Sequence, residues 1–317
     1  MIGPLFRITR PFTLLPPVLG MLSGAAAALA VQTMDSGRSL TAGLEAHGGD
    51  IVVGALMAGL LNAASNVLNQ VTEIELDRIN KPHRVMPRGE LTVRVATVWS
   101  CVLYVVALGL AWTIEPEPGV HHAFWCALAA AVATVLYTVK PVYAKSRGWW
   151  ANLTIAVPRG MLLKVAGWAT VASAAHPEPW FIGLVFALFL VGAASTKDFA
   201  DVEGDRAHGI GTLPVRFGAE TTARIIGPFF VAPWLLLPLG VWMPGPHGAP
   251  WVQAAAWPIC ALTAALVVLG ASMLPLMRQP GALATDANHP IWARMYALMM
   301  VSQVGLAVCY LLSPALA

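Results

Sequence analysis

Apolar runs recur nine times along the chain, at roughly 12–33, 51–70, 93–114, 122–139, 149–172, 179–196, 222–243, 251–275 and 290–313. A helix needs about 20 mainly apolar residues to cross a bilayer. The pattern therefore predicts an all-α fold, a polytopic membrane bundle of nine transmembrane helices forming a single domain over residues 1–317. Connections are short except after the first, second, sixth and eighth runs. Pro16, Pro17 and Pro158 fall inside runs, where a bilayer-buried bundle tolerates kinks. The first run follows Arg7 and Arg10 and is too long for a signal peptide, so it reads as a retained helix.

Composition agrees with a lipid solvent. The chain is 57% hydrophobic and 11% charged, with a mean hydropathy of +0.68; soluble domains carry about 25% charged residues. Cys101, Cys126, Cys260 and Cys309 lie singly in apolar runs and read as small buried side chains. The histidines show no zinc-ligand spacing. Nothing in this composition points to nucleic acid; membrane lipid is the expected surrounding.

Basic residues set the orientation. Arg7 and Arg10 precede the first run, and Arg78, Lys81, Arg84, Arg88 and Arg94 follow the second. Lys140, Lys145 and Arg147 follow the fourth; Lys197, Arg206, Arg216 and Arg224 follow the sixth; Arg278 and Arg294 flank the loop after the eighth. The other side has Arg38 and little else. The positive-inside rule puts the amino terminus and the basic loops in the cytoplasm of a protein integral to the inner or plasma membrane.

Two of these loops begin with acidic stretches. Asn69, Glu73 and Asp77 are spaced i, i+4, i+8, which stacks three oxygen-bearing side chains in one helical column. Asp198, Asp201 and Asp205 open the second loop; aligned on the first, Glu73 falls on Asp201, Glu75 on Glu203, Asp77 on Asp205 and Arg78 on Arg206. Seven of the chain's sixteen acidic residues lie in the two stretches. Four runs separate them, so both face the same side.

Carboxylates gathered at a membrane boundary call for a positive partner. Magnesium takes one or two protein carboxylates together with substrate phosphate oxygens. Asn69, Glu73 and Asp77 on one helix end and Asp198, Asp201 and Asp205 on another would hold two such ions across a gap bridged by a diphosphate. Arg78, Arg206, Lys197 and the basic group from Lys140 to Arg147 would meet its remaining charge. Asp77 and Asp201 are the carboxylates expected to matter most for turnover. Cations on a diphosphate stabilise it as a leaving group. An allylic isoprenoid tail would then leave a carbocation that aromatic faces stabilise, with Tyr137, Tyr143, Trp149, Trp150 and Phe199 at the same level. Glu75 and Glu203 point away from the column and pair with nearby Arg or Lys.

At these residues the sequence resembles the UbiA family of intramembrane prenyltransferases, whose members carry an NxxxDxxxD motif and a second Asp-rich motif after membrane helices. Asn69 to Asp77 matches the first, with Glu73 where Asp is usual, and Lys197 to Asp205 matches the second. Tyr137-Thr-Val-Lys140-Pro141 looks like the family's segment after its fourth helix. The resemblance implies a nine-helix bundle, magnesium dependence and transfer of a prenyl group from its diphosphate to a small-molecule acceptor. Asp77 to Pro82 looks most like the homogentisate prenyltransferases, and Arg147 to Asn152 like the chlorophyll synthase branch. The Asn-x-Pro ending of the first motif is shared with enzymes of archaeal ether lipids, so the acceptor stays open.

Within the fifth run, Arg159 and Lys164 are charges at membrane depth, which normally face a cavity or a partner. Arg159, seven residues from Asn152 on one helix face, is the candidate for the substrate cavity; Lys164 reads as structural. The expected reaction moves a polyprenyl group onto an aromatic or other ring acceptor. A terpene cyclase on the same scaffold is the alternative. A cation transporter fits poorly, because transporters place such carboxylates near the midplane at broken helices.

Overall fold

The computed structural model describes residues 2–246, 248–278 and 290–316. Among these there is no strand, only two isolated bridges, Arg147 with Gly211 and Pro244 with Pro250. The helices are α1 (Ile2–Ile8), α2 (Leu15–Ser36), α3 (Leu40–Thr72), α4 (Ile74–Asn80), α5 (Val93–Trp112), α6 (His122–Thr138), α7 (Trp149–Ala156) and α8 (Leu163–Trp168). They continue as α9 (Pro177–Ala193), α10 (Val202–Ala207), α11 (Leu213–Phe217), α12 (Ala219–Ile226), α13 (Leu236–Trp242), α14 (Ala256–Ala271), α15 (Leu274–Met277) and α16 (Pro290–Leu312).

Seven helical stretches among the described residues are long and apolar enough to cross a membrane: Leu15–Ser36, Leu40–Thr72, Val93–Trp112, Pro177–Phe199, Ala219–Trp242, Ala256–Met277 and Pro290–Ala315. The other two expected spans behave differently. α6 has only 17 residues. The stretch from Trp149 to Trp168 is α7, a π turn over Val157–Leu162, and α8. Pro158 explains that break: it has no N–H to donate and its ring crowds the preceding turn, which widens instead. Gly160 lies within the widened turn, where a Cβ would come 2.5 Å from the Ala187 backbone, so α9 passes directly against the turn.

α3 also differs from expectation, starting eleven residues before the apolar run at 51. Glu45, His47 and Asp50 are too polar for a span, yet Ser39 caps the helix by accepting the Ala42 N–H at 3.2 Å. Its 33 residues reach ~50 Å, longer than the hydrocarbon core. α2 packs against α3, α8 and α16, and α3 runs along α5. The loop after α4 is pinned at Val85, Met86 and Leu91, which bury against Ala63, Ala64 and Val67 of α3 and Ala96 and Leu103 of α5. That anchoring folds Lys81 and Arg84 back over the end of α3.

Candidate active site

The first acidic stretch begins where α3 ends. Glu73 breaks the helix (φ −114°, ψ 24°), yet its N–H still donates to Asn69 O at 3.0 Å, and the Asp77 N–H to Glu73 O at 2.8 Å. The i, i+4 ladder therefore survives the break and the column stays in register. Asn69 Nδ2 donates to Glu73 Oε2 at 2.9 Å. Glu73 and Asp77 are buried, while Glu75 and Arg78 are exposed and pair with each other at 2.8 Å.

The second stretch follows α9, its final turns tightened to a 3₁₀ helix over Ala194–Phe199. Asp198, Asp201 and Asp205 are all buried, with Glu203 and Arg206 exposed. The two stretches meet directly. Lys81 Nζ donates to both oxygens of Asp201, at 2.6 and 2.5 Å. α10 crosses α4 so closely that a Cβ on Gly204 would lie 2.6 Å from Asn80 Nδ2. The Asn80 side chain takes the space a Gly204 side chain would need.

Three cations pair with three of the five buried carboxylates. Arg84 Nη1 holds both Asp77 oxygens at 2.9 and 2.7 Å, Lys81 holds Asp201, and Lys145 Nζ lies 2.8 Å from Glu73 Oε1. Burial raises the Asp77 carboxyl from its ordinary value against the pull of Arg84. Burial also raises Asp205, to about 6, with Asp201 and Glu73 adding to it and Lys145 opposing. Burial alone would lower Lys145, but Glu73, Tyr137 and Asp205 together raise it. In the sequence Lys81 and Arg84 mark only the cytoplasmic side. Their position just past the first motif was the available signal.

The donor set suits a hard cation. Among the described residues Asp205 Oδ1 is buried with no hydrogen-bond partner, while Oδ2 accepts from Thr212 Oγ1 at 3.3 Å. A buried carboxylate oxygen without a donor is a costly arrangement that a bound cation relieves. Among the described residues no three carboxylates converge on one point. Magnesium does not require that, since phosphate oxygens and water complete its shell.

Below the junction a cavity opens between α2, α3, α6, the π turn, α9 and α16. Asn69, Tyr137, Lys197, Arg10, Arg159 and Tyr296 are among the residues that line it. Its lining contains three cations (Arg10, Arg159 and Lys197) and no carboxylate, so its chemistry favours anionic or oxygen-rich guests. Lys197 Nζ donates to the Tyr137 hydroxyl at 2.9 Å. Arg10 is held by a second amide column the sequence reading missed. Asn62, Asn66 and Gln70, spaced as Asn69, Glu73 and Asp77 are, donate to Thr13 O, Thr9 O and Ile8 O at 3.0, 2.9 and 2.6 Å. Burial and the nearby Arg84 lower the Arg10 guanidinium to about 10.

Arg159 is exposed to this cavity and, among the described residues, forms no hydrogen bond or ion pair. The π turn separates it from Asn152, which points instead to α9, donating to Val191 O and Ser195 Oγ at 2.6 and 2.7 Å. Lys164 is fully buried on Ser23 and Gln303, with its ammonium 4.0 Å from the Phe186 ring centre. Lys140 and Arg147 are exposed in the loop after α6 and do not reach the cavity lining. Of the expected aromatics only Tyr137 lines it; Phe199 is in the core, and Trp292 and Tyr296 of α16 supply the other rings.

Residues 33–284 match the sequence model of the UbiA prenyltransferase family. The chain belongs to the UbiA prenyltransferase family. It is an integral membrane protein. Among the family's members, the bacteriochlorophyll synthase 34 kDa chain of Chloroflexus aurantiacus is 29% identical over 221 residues, 69% of this chain and 66% of that one. Digeranylgeranylglyceryl phosphate synthase of Methanococcus aeolicus is 29% identical over 207 residues, 65% of this chain and 69% of that one. The matched region thus spans about two thirds of the length of these relatives. The fold matches a UbiA homolog from Archaeoglobus fulgidus bound to DMAPP and Mg2+, with a TM-score of 0.58, 17% identity, and coverage of 93% of this chain and 98% of that one.

Proposed function

We propose that this protein is a magnesium-dependent prenyltransferase that moves a polyprenyl group from an allylic diphosphate to an aromatic or other ring acceptor. The observation that carries the reading is the direct joining of the two acidic stretches, through Lys81 and Asp201 and through Gly204 and Asn80, above a cavity lined by cations. The named relatives and the homolog bound to DMAPP and Mg2+ support it.

Asn69, Glu73 and Asp77 with Asp198, Asp201 and Asp205 would hold magnesium, which when bound neutralises charge on the departing diphosphate. Lys197 and Arg10 line the same cavity and add fixed positive charge for the diphosphate oxygens. Lys81, Arg84 and Lys145 hold Asp201, Asp77 and Glu73 in place and offset part of the carboxylate charge, leaving the rest for a bound cation. The allylic carbon–oxygen bond breaks with its electron pair on the diphosphate. The acceptor's electron pair then forms the new carbon–carbon or carbon–oxygen bond, and the acceptor releases its proton. Tyr137, Trp292 and Tyr296 present ring faces to the cation, and Arg159, which forms no hydrogen bond or ion pair among the described residues, orients the acceptor.

The same reading makes α6 and the segment from α7 to α8 the remaining two of nine spans. It places the amino terminus and both acidic stretches on the cytoplasmic side, where Lys and Arg collect. The test is product formation in membranes supplied with several prenyl diphosphates and acceptors, with and without EDTA. Full activity in EDTA would remove the metal role, and products formed without any acceptor would favour a cyclase.

A further inference from the structure

α16 lays one face along the cavity. Trp292, Met295, Tyr296, Met299 and Gln303 all line it, and their spacing keeps them on a single side of the helix. From Trp292 to Gln303 is eleven residues, ~16 Å, so the cavity follows α16 deep into the bundle. Gln303 ends that row, with 4% of its surface exposed.

The Gln303 amide has a fixed direction. Lys164 Nζ donates to Oε1, and Ser23 Oγ lies 2.9 Å from the same oxygen. An ammonium carries donors only, so the amide atom that faces it is the oxygen. Nε2 is therefore turned the other way, and among the described residues it donates to nothing. With Ser23 beside the same oxygen the direction does not hang on Lys164 alone, and Lys164 lies outside the cavity lining. Gly20 of α2 leaves Nε2 uncovered: a Cβ there would meet the Leu163 side chain and come 3.5 Å from Nε2. Leu163 follows Arg159 by four residues, ~6 Å of helix, and both line the cavity. Arg159 and the Gln303 amide are thus two donors in one cavity, set about one helical turn apart along its wall.

An N–H turned into a cavity at this depth needs an oxygen. A prenyl chain is hydrocarbon, and its diphosphate carries all its oxygens up to the acidic stretches. The acceptor is the substrate that can bring one. We propose that Gln303 is a specificity residue whose Nε2 donates to a carbonyl or phenolic oxygen of the acceptor, so that the site selects rings carrying oxygen at two places, one for Arg159 and one for Gln303. This rests on the prenyltransferase reading above and deepens it by naming the class of acceptor. Two oxygens at opposite corners of a six-membered ring lie ~5 Å apart, comparable to the pitch of a helix.

The test uses purified full-length protein with magnesium and the inert thiolodiphosphate analogue of the geranylgeranyl chain. Dissociation constants are measured for that analogue, for duroquinone, and for durene, which is the same methylated ring without oxygen. The ratio of durene to duroquinone constants is compared between variants, so partition into detergent cancels. Gln303→Leu and Gln303→Glu should each lower the ratio by about three- to tenfold, the effect of one lost hydrogen bond. Gln303→Glu keeps the shape and meets Lys164 with a carboxylate, so its thermal midpoint should hold while the donor is gone; if Gln303→Leu does not accumulate, Gln303→Glu decides alone. An unchanged ratio in the variants, or no saturable duroquinone binding to wild type, overturns the inference. Retained binding of the thiolodiphosphate in the same samples leaves the enzyme reading intact, and its absence in wild type overturns both.

Discussion

Gly204→Ala tests the contact that joins the two acidic stretches. The added methyl would lie 2.6 Å from Asn80 Nδ2 and 2.7 Å from Asn80 Cγ, well inside van der Waals contact. Asn80 is a side chain and can give way, but its Nδ2 is already buried without a partner among the described residues, so it has no hydrogen bond there to rotate towards. Overpacking of this kind costs about 1–3 kcal/mol. If the strain separates α10 from α4 in the working state, it lowers turnover by about 5- to 150-fold at ~1.4 kcal/mol per tenfold. It should also raise the magnesium concentration giving half-maximal rate, because Asp201 and Asp205 move with α10. Turnover, magnesium half-saturation and thermal midpoint would be measured in detergent. Asn80→Ala added to Gly204→Ala empties the contested space and should restore most of the activity. Unchanged turnover and magnesium dependence in Gly204→Ala, or no recovery in the double variant, would refute the reasoning.

Lys81→Met leaves Asp201 without its ammonium, so the thermal midpoint should fall in EDTA and magnesium should recover more of it than in wild type; equal recovery counts against the site. Arg159→Leu removes a charge with no hydrogen bond or ion pair among the described residues, so stability should hold or rise while turnover falls at least tenfold, and retained turnover would exclude a substrate role. Lys164→Met replaces a buried ammonium bound only to neutral groups by an apolar chain of similar length; folding and turnover within about threefold are expected, checked by thermal midpoint and rate. Glu73→Asp draws the carboxylate back from Asn69 and Lys145, 2.9 and 2.8 Å away, yet keeps an oxygen ligand on the column, so magnesium-dependent turnover should persist.

Seven of the nine expected spans coincide with helices long and apolar enough to cross a membrane among the described residues, because lipid requires long apolar runs, and 93–114 and 290–313 fall within two residues of α5 and α16. The acidic column was legible because its spacing follows the helical repeat, and the repeat outlasted the break at Glu73. Three things were not. The π turn at Pro158 rotated Asn152 away from Arg159, since a proline shows that a helix is disturbed but not how. Lys81, Arg84 and Lys145 reach the carboxylates through folded loops, where sequence spacing carries no direction. The Asn62, Asn66 and Gln70 column had the right periodicity, but its partners are backbone carbonyls of residues 8 to 13, invisible to any side-chain pattern. Exposure told Arg78 and Arg206 apart from the buried cations only once the loops were placed.

The central claim is that the two stretches act as one device on a single diphosphate. The direct measurement is turnover of Asp77→Asn, Asp201→Asn and the double variant at saturating magnesium. Each single change should remove most of the activity, and the double should lose little more than either one, because residues that act as a unit fail together. Near-wild-type turnover in Asp201→Asn, or losses that simply multiply in the double variant, would contradict it.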